Sequence, residues 1–489
     1  MPTIEYYSAG KLRRMTVDTA DQLVAAASSK AFRGGRAGAA RASARMVAAI
    51  APHAVLALQG QAERLAPLFL DLARPAVLLT IPAVGGPVVL PTPSLVVEGA
   101  NKSELKNLKD KFGVEVVDEG SQGKVLLRAS VGGEEGIKVA ANAAKAAYER
   151  GHVDAAHPNF IRVMAKIEPS AAGGQPLWNQ KNDGNPGIRG ADVAALAAWT
   201  ILKGKADTRV AVLDEGVDTT HPALQPAVVA EKDFVDNNAT AMPDGNDAHG
   251  TACAGIILSR DSQYPGLASQ CSLVAVRIAK GDGTGHWIFD DFKTADAIDW
   301  AWNEGQADVL SNSWGGGPPV DTITRAFERA RTKGRKNKGA VIAIATGNND
   351  GPVNFPATLP DVLAVGASTP WDERKSKTSK DGENWWGSNF GPELNLVAPG
   401  VRIATTDIQG PRGYDNSDYF MRFNGTSSAT PHVAAAAALI LSGMPTLNEK
   451  KVRDIITASA DRLTADGKWD KFVGWGRLNI FAALRLAQR

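Results

Sequence analysis

The chain has 489 residues, 44% of them hydrophobic and 22% charged, with a net charge of +2. That length exceeds one ordinary core, so two or three domains are expected, and the composition is that of a soluble globular protein. The near-neutral balance gives no reason to expect a nucleic-acid partner, and two cysteines, Cys253 and Cys271, are too few for a disulfide scaffold; two free buried thiols are expected.

The opening, MPTIEYYSAGKLRRMTVDTADQ, has no apolar core after a basic start. No secretory leader is therefore expected; the chain is expected to be made in the cytosol, and any export to be leaderless. Residues 1–93 form an Ala- and Arg-rich region to which the sequence assigns no role. Within it ADQLVAAASSKAF and AARASARMVAAIA have helical character with weak caps, separated by RGGRAG. Residues 75–97 carry no charge, but Pro75, Pro82, Pro87, Pro91 and Pro93, with Gly85 and Gly86, exclude a continuous membrane helix. A linker with one or two short strands is expected there.

From Ser94 the pattern sharpens. SLVVEG, VEVVDE, KVLLRAS and VDAAHPNFIRVMAKI read as strands, KSELKNLKDKFG and EEGIKVAANAAKAAYERG as helices. The order over 94–167 is βαββαβ, the ferredoxin-like layout. Residues 168–190, rich in Gly, Pro and Asn, read as a linker and entry loop. Over 191–489, buried-strand patterns such as TRVAVLD, SLVAVRIA, ADVLSNSW, GAVIAIAT and VLAVGAS alternate with helical ones. Such alternation predicts a mainly parallel sheet flanked by helices, with a site at the carboxyl ends of its strands.

Three side chains there can do chemistry together. Asp214 ends VAVLD, His249 opens the helix HGTACAGIILS, and Ser427 stands at the start of the Ala-rich helix in NGTSSATPHVA. Singly, each has an ordinary reading: a strand-end cap, a hydrogen-bonded structural histidine, an N-cap serine. Jointly they offer a nucleophile, a base to take its proton, and an acid to fix the base's tautomer and charge. A hydroxyl at a helix start also has a backbone N–H beside it for a developing oxyanion.

On these blocks the chain resembles the subtilisin-like serine proteases. VAVLDEGVDTTHPAL is similar to the family's aspartate block, HGTACAGI to its histidine block and NGTSSATPHVA to its serine block. Two more blocks match. AIATGNNDG implies that Asn348 is an oxyanion-hole donor, and LSNSWGGG implies that Ser313, Trp314, Gly315 and Gly316 pair with substrate backbone. The resemblance implies an α/β fold with a subtilisin-like catalytic domain over 191–489, a propeptide-like βαββαβ domain over 94–167 that chaperones and inhibits it, and cleavage within IEPSAAGGQPLW. It implies a serine endopeptidase acting on proteins or peptides through an acyl-enzyme, with its own N-terminal region as intramolecular inhibitor. No nucleic-acid or membrane partner is implied. No cofactor is required for the chemistry. The family often uses calcium structurally, and Asp244, Asp247, Asp290 and Asp291 are candidate ligands, although their spacing matches no defined loop.

Departures from the family pattern are Glu215 after the aspartate, Ser428 after the serine, and Ala435 where a glycine is frequent. His432 and His221 read as structural, and Cys253, one turn after His249, as packed beneath it, where a thiol confers sensitivity to mercurials. The alternatives are an esterase or acyltransferase using the same triad, with the lack of a G-x-S-x-G elbow against the usual esterase architecture, and a catalytically silent or autoinhibited binding protein on the protease scaffold.

Overall fold

A computed structural model of the chain describes residues 3–8, 10–16, 18–26, 44–50, 53–58, 77–80, 88–166, 177–281 and 286–489. They form two compact units. One comprises Met1–Lys166 with Gly281–Asp296 and Gly317–Arg325; the other comprises Ile167–Lys280, Ala297–Gly316 and Ala326–Arg489.

The first unit begins with an antiparallel hairpin, β1 (Thr3–Ser8) and β2 (Lys11–Thr16). Four further strands, β3 (Asp18–Ala26), β4 (Ala44–Ile50), β5 (His53–Leu58) and β6 (Val77–Thr80), make an antiparallel sheet in the order β4-β5-β3-β6. This corrects the helices expected in ADQLVAAASSKAF and AARASARMVAAIA, whose described residues lie on β3 and β4; the remainder, with RGGRAG, lies outside the described residues. Alanine's helix propensity is a weak preference, and without caps it yields to ladder pairing.

The βαββαβ order is present: β7 (Val88–Glu98), α1 (Lys102–Phe112), β8 (Val114–Glu119), β9 (Lys124–Ala129), α2 (Gly133–Glu149) and β10 (Ala155–Ala165). Local chemistry sets α1. The Asn101 side chain accepts from Glu104 N–H at its start, and Gly113 closes it at a φ of 64°. The strands pair antiparallel in the order β10-β7-β9-β8, and Leu95, Val97, Leu108, Val114, Leu127 and Ala140 fill the space beneath the helices. Pro91 lies where the β7–β10 register shifts, the place a ladder tolerates proline. A strand from much later in the chain, His286–Asp290, pairs antiparallel with the free edge of β10, from Ile161 opposite Asp290 to Ala165 opposite His286. Beside this ladder Arg162 and Asp291, 1% and 0% exposed, form an ion pair with a 2.5 Å contact.

The second unit is built on a seven-stranded parallel sheet. Its strands are β11 (Arg209–Asp214), β12 (Val228–Asp233), β13 (Ser272–Arg277), β14 (Val309–Asn312), β15 (Val341–Ala345), β16 (Leu363–Ser368) and β17 (Leu396–Pro399). They run in the order β12-β13-β11-β14-β15-β16-β17. The central strands are buried along their length, which is why they read as unbroken apolar runs. The order reverses at β11, flanked by β13 and β14, and this opens a crevice at the carboxyl ends of those strands. Helices α3 (His249–Leu258) and α4 (Thr426–Gly443) pack against each other, α3 beside β11 and α4 across β14 to β17. α4 is buried from Thr426 to Ser442; its alanines allow that close approach from all sides.

Candidate active site

Asp214 is the last residue of β11 and His249 the first of α3. Their backbones meet because two glycines stand between them. A Cβ on Gly250 would lie 2.1 Å from Gly216 O and 2.9 Å from Asp214 Cβ, a space no side chain can share. His249 Nδ1 faces both Asp214 oxygens, at 2.9 and 3.0 Å. A carboxylate only accepts, so Nδ1 carries the proton and Nε2 presents the lone pair a base requires. Both groups are buried, and the Phe423 ring meets the imidazole edge-to-face at 5.2 Å.

Ser427 occupies the second position of α4, 7% exposed. Four residues on stands Pro431, which has no N–H, so the Ser427 carbonyl has no α-helical donor. Two side chains take that place: Ser313 Oγ donates to Ser427 O at 2.9 Å and Cys253 Sγ at 3.6 Å. Ser427 Oγ in turn donates to Ser313 O at 3.2 Å. The Cys253 sulfur also lies 3.7 Å from His249 Nδ1, so one sulfur touches both the residue bearing the hydroxyl and the imidazole.

Asn348 follows β15 after a Gly347 at φ 103°, where a Cβ would collide with the Asn354 and Asn389 amides at 2.4 and 2.6 Å. Its carbonyl oxygen accepts from Thr426 N–H at 2.8 Å and Thr426 Oγ at 2.9 Å, and Gly347 N–H donates to Thr426 Oγ at 3.2 Å. With its oxygen so committed, the amide NH₂ is the end left to point elsewhere. A Cβ built on Gly425 would lie 3.4 Å from Ser427 N and 3.6 Å from both Nδ2 and Oδ1 of Asn348, so the Ser427 N–H and the Asn348 amide are neighbours there.

Ser313 to Gly316 continue from β14. Trp314 is 4% exposed and its ring stacks near Phe327, the centroids 6.1 Å apart. Gly316 N–H donates to Phe355 O at 2.5 Å, and a Cβ on Gly315 would come within 2.8 Å of the same oxygen. The glycines let this segment lie flat on its neighbour.

The remaining candidates sort as follows. His432 is fully buried, its Nδ1 bonded to Ser428 O at 2.8 Å and its Nε2 to Asn179 Nδ2 at 2.9 Å; burial lowers its pKa to about 4. His221 Nδ1 accepts from Ala223 N at 3.0 Å and its Nε2 donates to Asp418 O at 2.9 Å, a loop-holding role. Cys253 and Cys271 are free and buried. The four candidate calcium ligands are divided between the two units. Asp290 and Asp291 belong to the first unit, where Asp290 accepts from Asn159 at 2.7 Å and Asp291 pairs with Arg162; Asp244 and Asp247 belong to the second. Among the described residues, Asp214, His249 and Cys253 are the one group of three His, Cys, Asp or Glu whose ligand atoms lie within 4.8 Å of one another.

Sequence reasoning missed Thr426 as the residue that bonds the Asn348 oxygen, and Pro431 as the reason the Ser427 carbonyl takes side-chain donors in place of a helical N–H. The second had a signal: a proline four residues after the serine. The first had none, because it joins the segment after β15 to the start of α4, far apart in sequence.

The model of the subtilase family matches residues 205–476. Thermitase of Thermoactinomyces vulgaris is 34% identical over 300 residues, which is 60% of this chain and 94% of that one. A thermophilic serine proteinase of Bacillus sp. (strain AK1) is 35% identical over 291 residues, 59% of this chain and 64% of that one, so the chain spans just under two thirds of that relative. Among solved structures, fervidolysin from Fervidobacterium pennivorans, a keratinolytic enzyme related to subtilisin, superposes with a TM-score of 0.62 at 22% identity, covering 83% of this chain and 62% of that one. At that identity the likeness is one of fold.

Proposed function

Since the chain belongs to the subtilase family of serine-type endopeptidases, we propose that it hydrolyses internal peptide bonds of proteins through Asp214, His249 and Ser427. His249 Nε2 removes the Ser427 proton as Oγ attacks the scissile carbonyl carbon. The carbonyl oxygen becomes an oxyanion, held by Ser427 N–H and the Asn348 amide. Asp214 keeps the proton on Nδ1 and balances the imidazolium. Collapse of the intermediate breaks the C–N bond, and the imidazolium gives its proton to the leaving amine. Water then attacks the acyl-enzyme with His249 again as base, releasing the acid and restoring the hydroxyl. Substrate lies along Ser313 to Gly316 as an added strand. These groups supply every proton transfer and all the charge stabilisation, so the chemistry needs no cofactor.

The observation that carries this reading is the two-oxygen grip of Asp214 on His249 Nδ1, beside a sulfur shared by His249 and Ser427. The test is a fluorophosphonate probe together with a casein assay. Label and turnover in the parent chain, both abolished in Ser427→Ala, support it. No label in either, even after the N-terminal region is trimmed by a second protease, supports the silent scaffold.

The intramolecular partner is the N-terminal region. The strand His286–Asp290, which falls inside the span of the family match, is part of the same sheet as β7 to β10. We propose that this region assists folding and restrains the enzyme. A chain beginning at residue 177 that folds and works as the full chain does would end that proposal.

A further inference from the structure

We propose that Glu215 is a second carboxylate of the active centre, a positioning residue that holds His249 by its backbone and stabilises the imidazolium by its charge. The inference rests on the triad reading above.

Glu215 is 1% exposed. Its Oε1 accepts from the His249 backbone N–H at 2.8 Å, and its own N–H donates to Asp214 Oδ1 at 2.9 Å. With the Asp214–His249 ring bond this closes a loop: Asp214 carboxylate to Glu215 N–H, Glu215 carboxylate to His249 N–H, His249 Nδ1 to Asp214 carboxylate. The two consecutive carboxylates divide the work, one fixing the ring and the other the backbone that carries it. The turn that follows them is tight: a Cβ on Gly216 would lie 2.7 Å from Pro243 Cα. A glutamate is a costly group to bury for a hydrogen bond alone. Placed at the first turn of α3, it is favoured by the helix dipole, and its charge stands near the site where positive charge develops.

Among the described residues, the carboxylates of Asp214 and Glu215 hold His249, the Cys253 sulfur on α3 lies 3.7 Å from its Nδ1, and Tyr414 packs on Phe423, whose ring meets the imidazole. Glu215 is felt by its neighbours: it raises the pKa of Tyr414 next after burial, and that of Cys253 after burial and the stronger Asp214 charge.

The experiment uses the full chain, with active sites counted by fluorophosphonate so that rates refer to folded enzyme. Glu215→Gln keeps an acceptor and removes the charge. Expected are a kcat about tenfold lower, a KM within about twofold, and an acid limb of the kcat/KM profile moved about half a pH unit or more toward acid, because the imidazolium is less stabilised. Glu215→Ala, which removes the acceptor too, loses more. A Glu215→Gln enzyme with the parent's kcat and acid limb overturns the proposal. So does a lower kcat with an unmoved acid limb, the result a purely structural cap produces. If the parent chain itself takes no label, it is the triad reading that has failed.

Discussion

Asn348 and Thr426 are joined by two hydrogen bonds to one oxygen, from the backbone N–H at 2.8 Å and from the hydroxyl at 2.9 Å. The pair commits the oxygen end of the amide and leaves its NH₂ for the oxyanion role proposed above. Asn348→Ala should lower kcat roughly 10²–10³-fold with little change in KM, the usual cost of removing one oxyanion donor. Thr426→Val keeps the N–H and loses the hydroxyl, and should cost about tenfold in kcat. Steady-state kinetics on a peptide substrate, read as kcat and KM separately, decide both; a loss confined to KM would contradict the assignment.

Cys253 should make the enzyme sensitive to mercurials. Burial, helped by the Asp214 carboxylate, pushes its thiol well up, so little thiolate exists and iodoacetamide should react slowly. A soft metal ion displaces the proton and finds His249 and Asp214 within 4.8 Å. One equivalent of a mercurial should stop turnover in the parent chain, and Cys253→Ala should lose that sensitivity. Cys271, bonded to Ser442 Oγ at 3.4 Å elsewhere in the core, should not matter.

His432 should make stability depend on acid. Its pKa falls from 6.5 to about 4 by burial. Between those values the unfolded chain binds a proton that the folded chain does not, so stability drops as pH falls through the window, by of order 3 kcal/mol in all. Asp407 acts oppositely: burial raises it from 3.8 to about 6, so its contribution grows on acidification over that range. The informative quantity is the difference between Tm at pH 7 and pH 4.5 in the parent and in His432→Gln. The variant should show the smaller loss; equal losses would rule out this titration.

Lys375 should be a fixed point of the loop that follows β16. It is fully buried, with its ammonium 3.3 Å from Asp381 and donating to Ser376 O and Glu383 O at 2.6 Å and Trp386 O at 3.2 Å. Lys375→Met strands those acceptors, and should cost roughly 3–5 kcal/mol in reversible denaturation, the range for breaking a buried pair. A change below about 1 kcal/mol would mean water replaces the ammonium without loss.

The parallel sheet of the second unit was legible because each central strand is buried on both faces and so reads as an apolar run. Asp214, His249 and Ser427 were legible because small residues bracket them: Gly250 has no room for a side chain, and Gly425 takes a φ of 115° that favours glycine. The β3 and β4 strands were not legible: their alanines suit a helix equally well, and although β4 pairs with the next strand β5, the partners of β3 lie some thirty to sixty residues on. The joining of His286–Asp290 to β10 is another long-range pairing without a local mark. Glu215 was visible as an oddity, but whether it turns inward depends on where α3 begins in space.

The five-residue ladder between β10 and His286–Asp290, with the Arg162–Asp291 pair beside it, has a consequence for turning the enzyme on. Cutting the backbone anywhere from residue 167 to 176 severs none of those bonds. A nicked molecule should therefore travel as one particle through a sizing column and come apart into two pieces only under denaturant. If the N-terminal region restrains the enzyme as proposed, scission and liberation are separate events, and the slower of them sets when proteolysis begins.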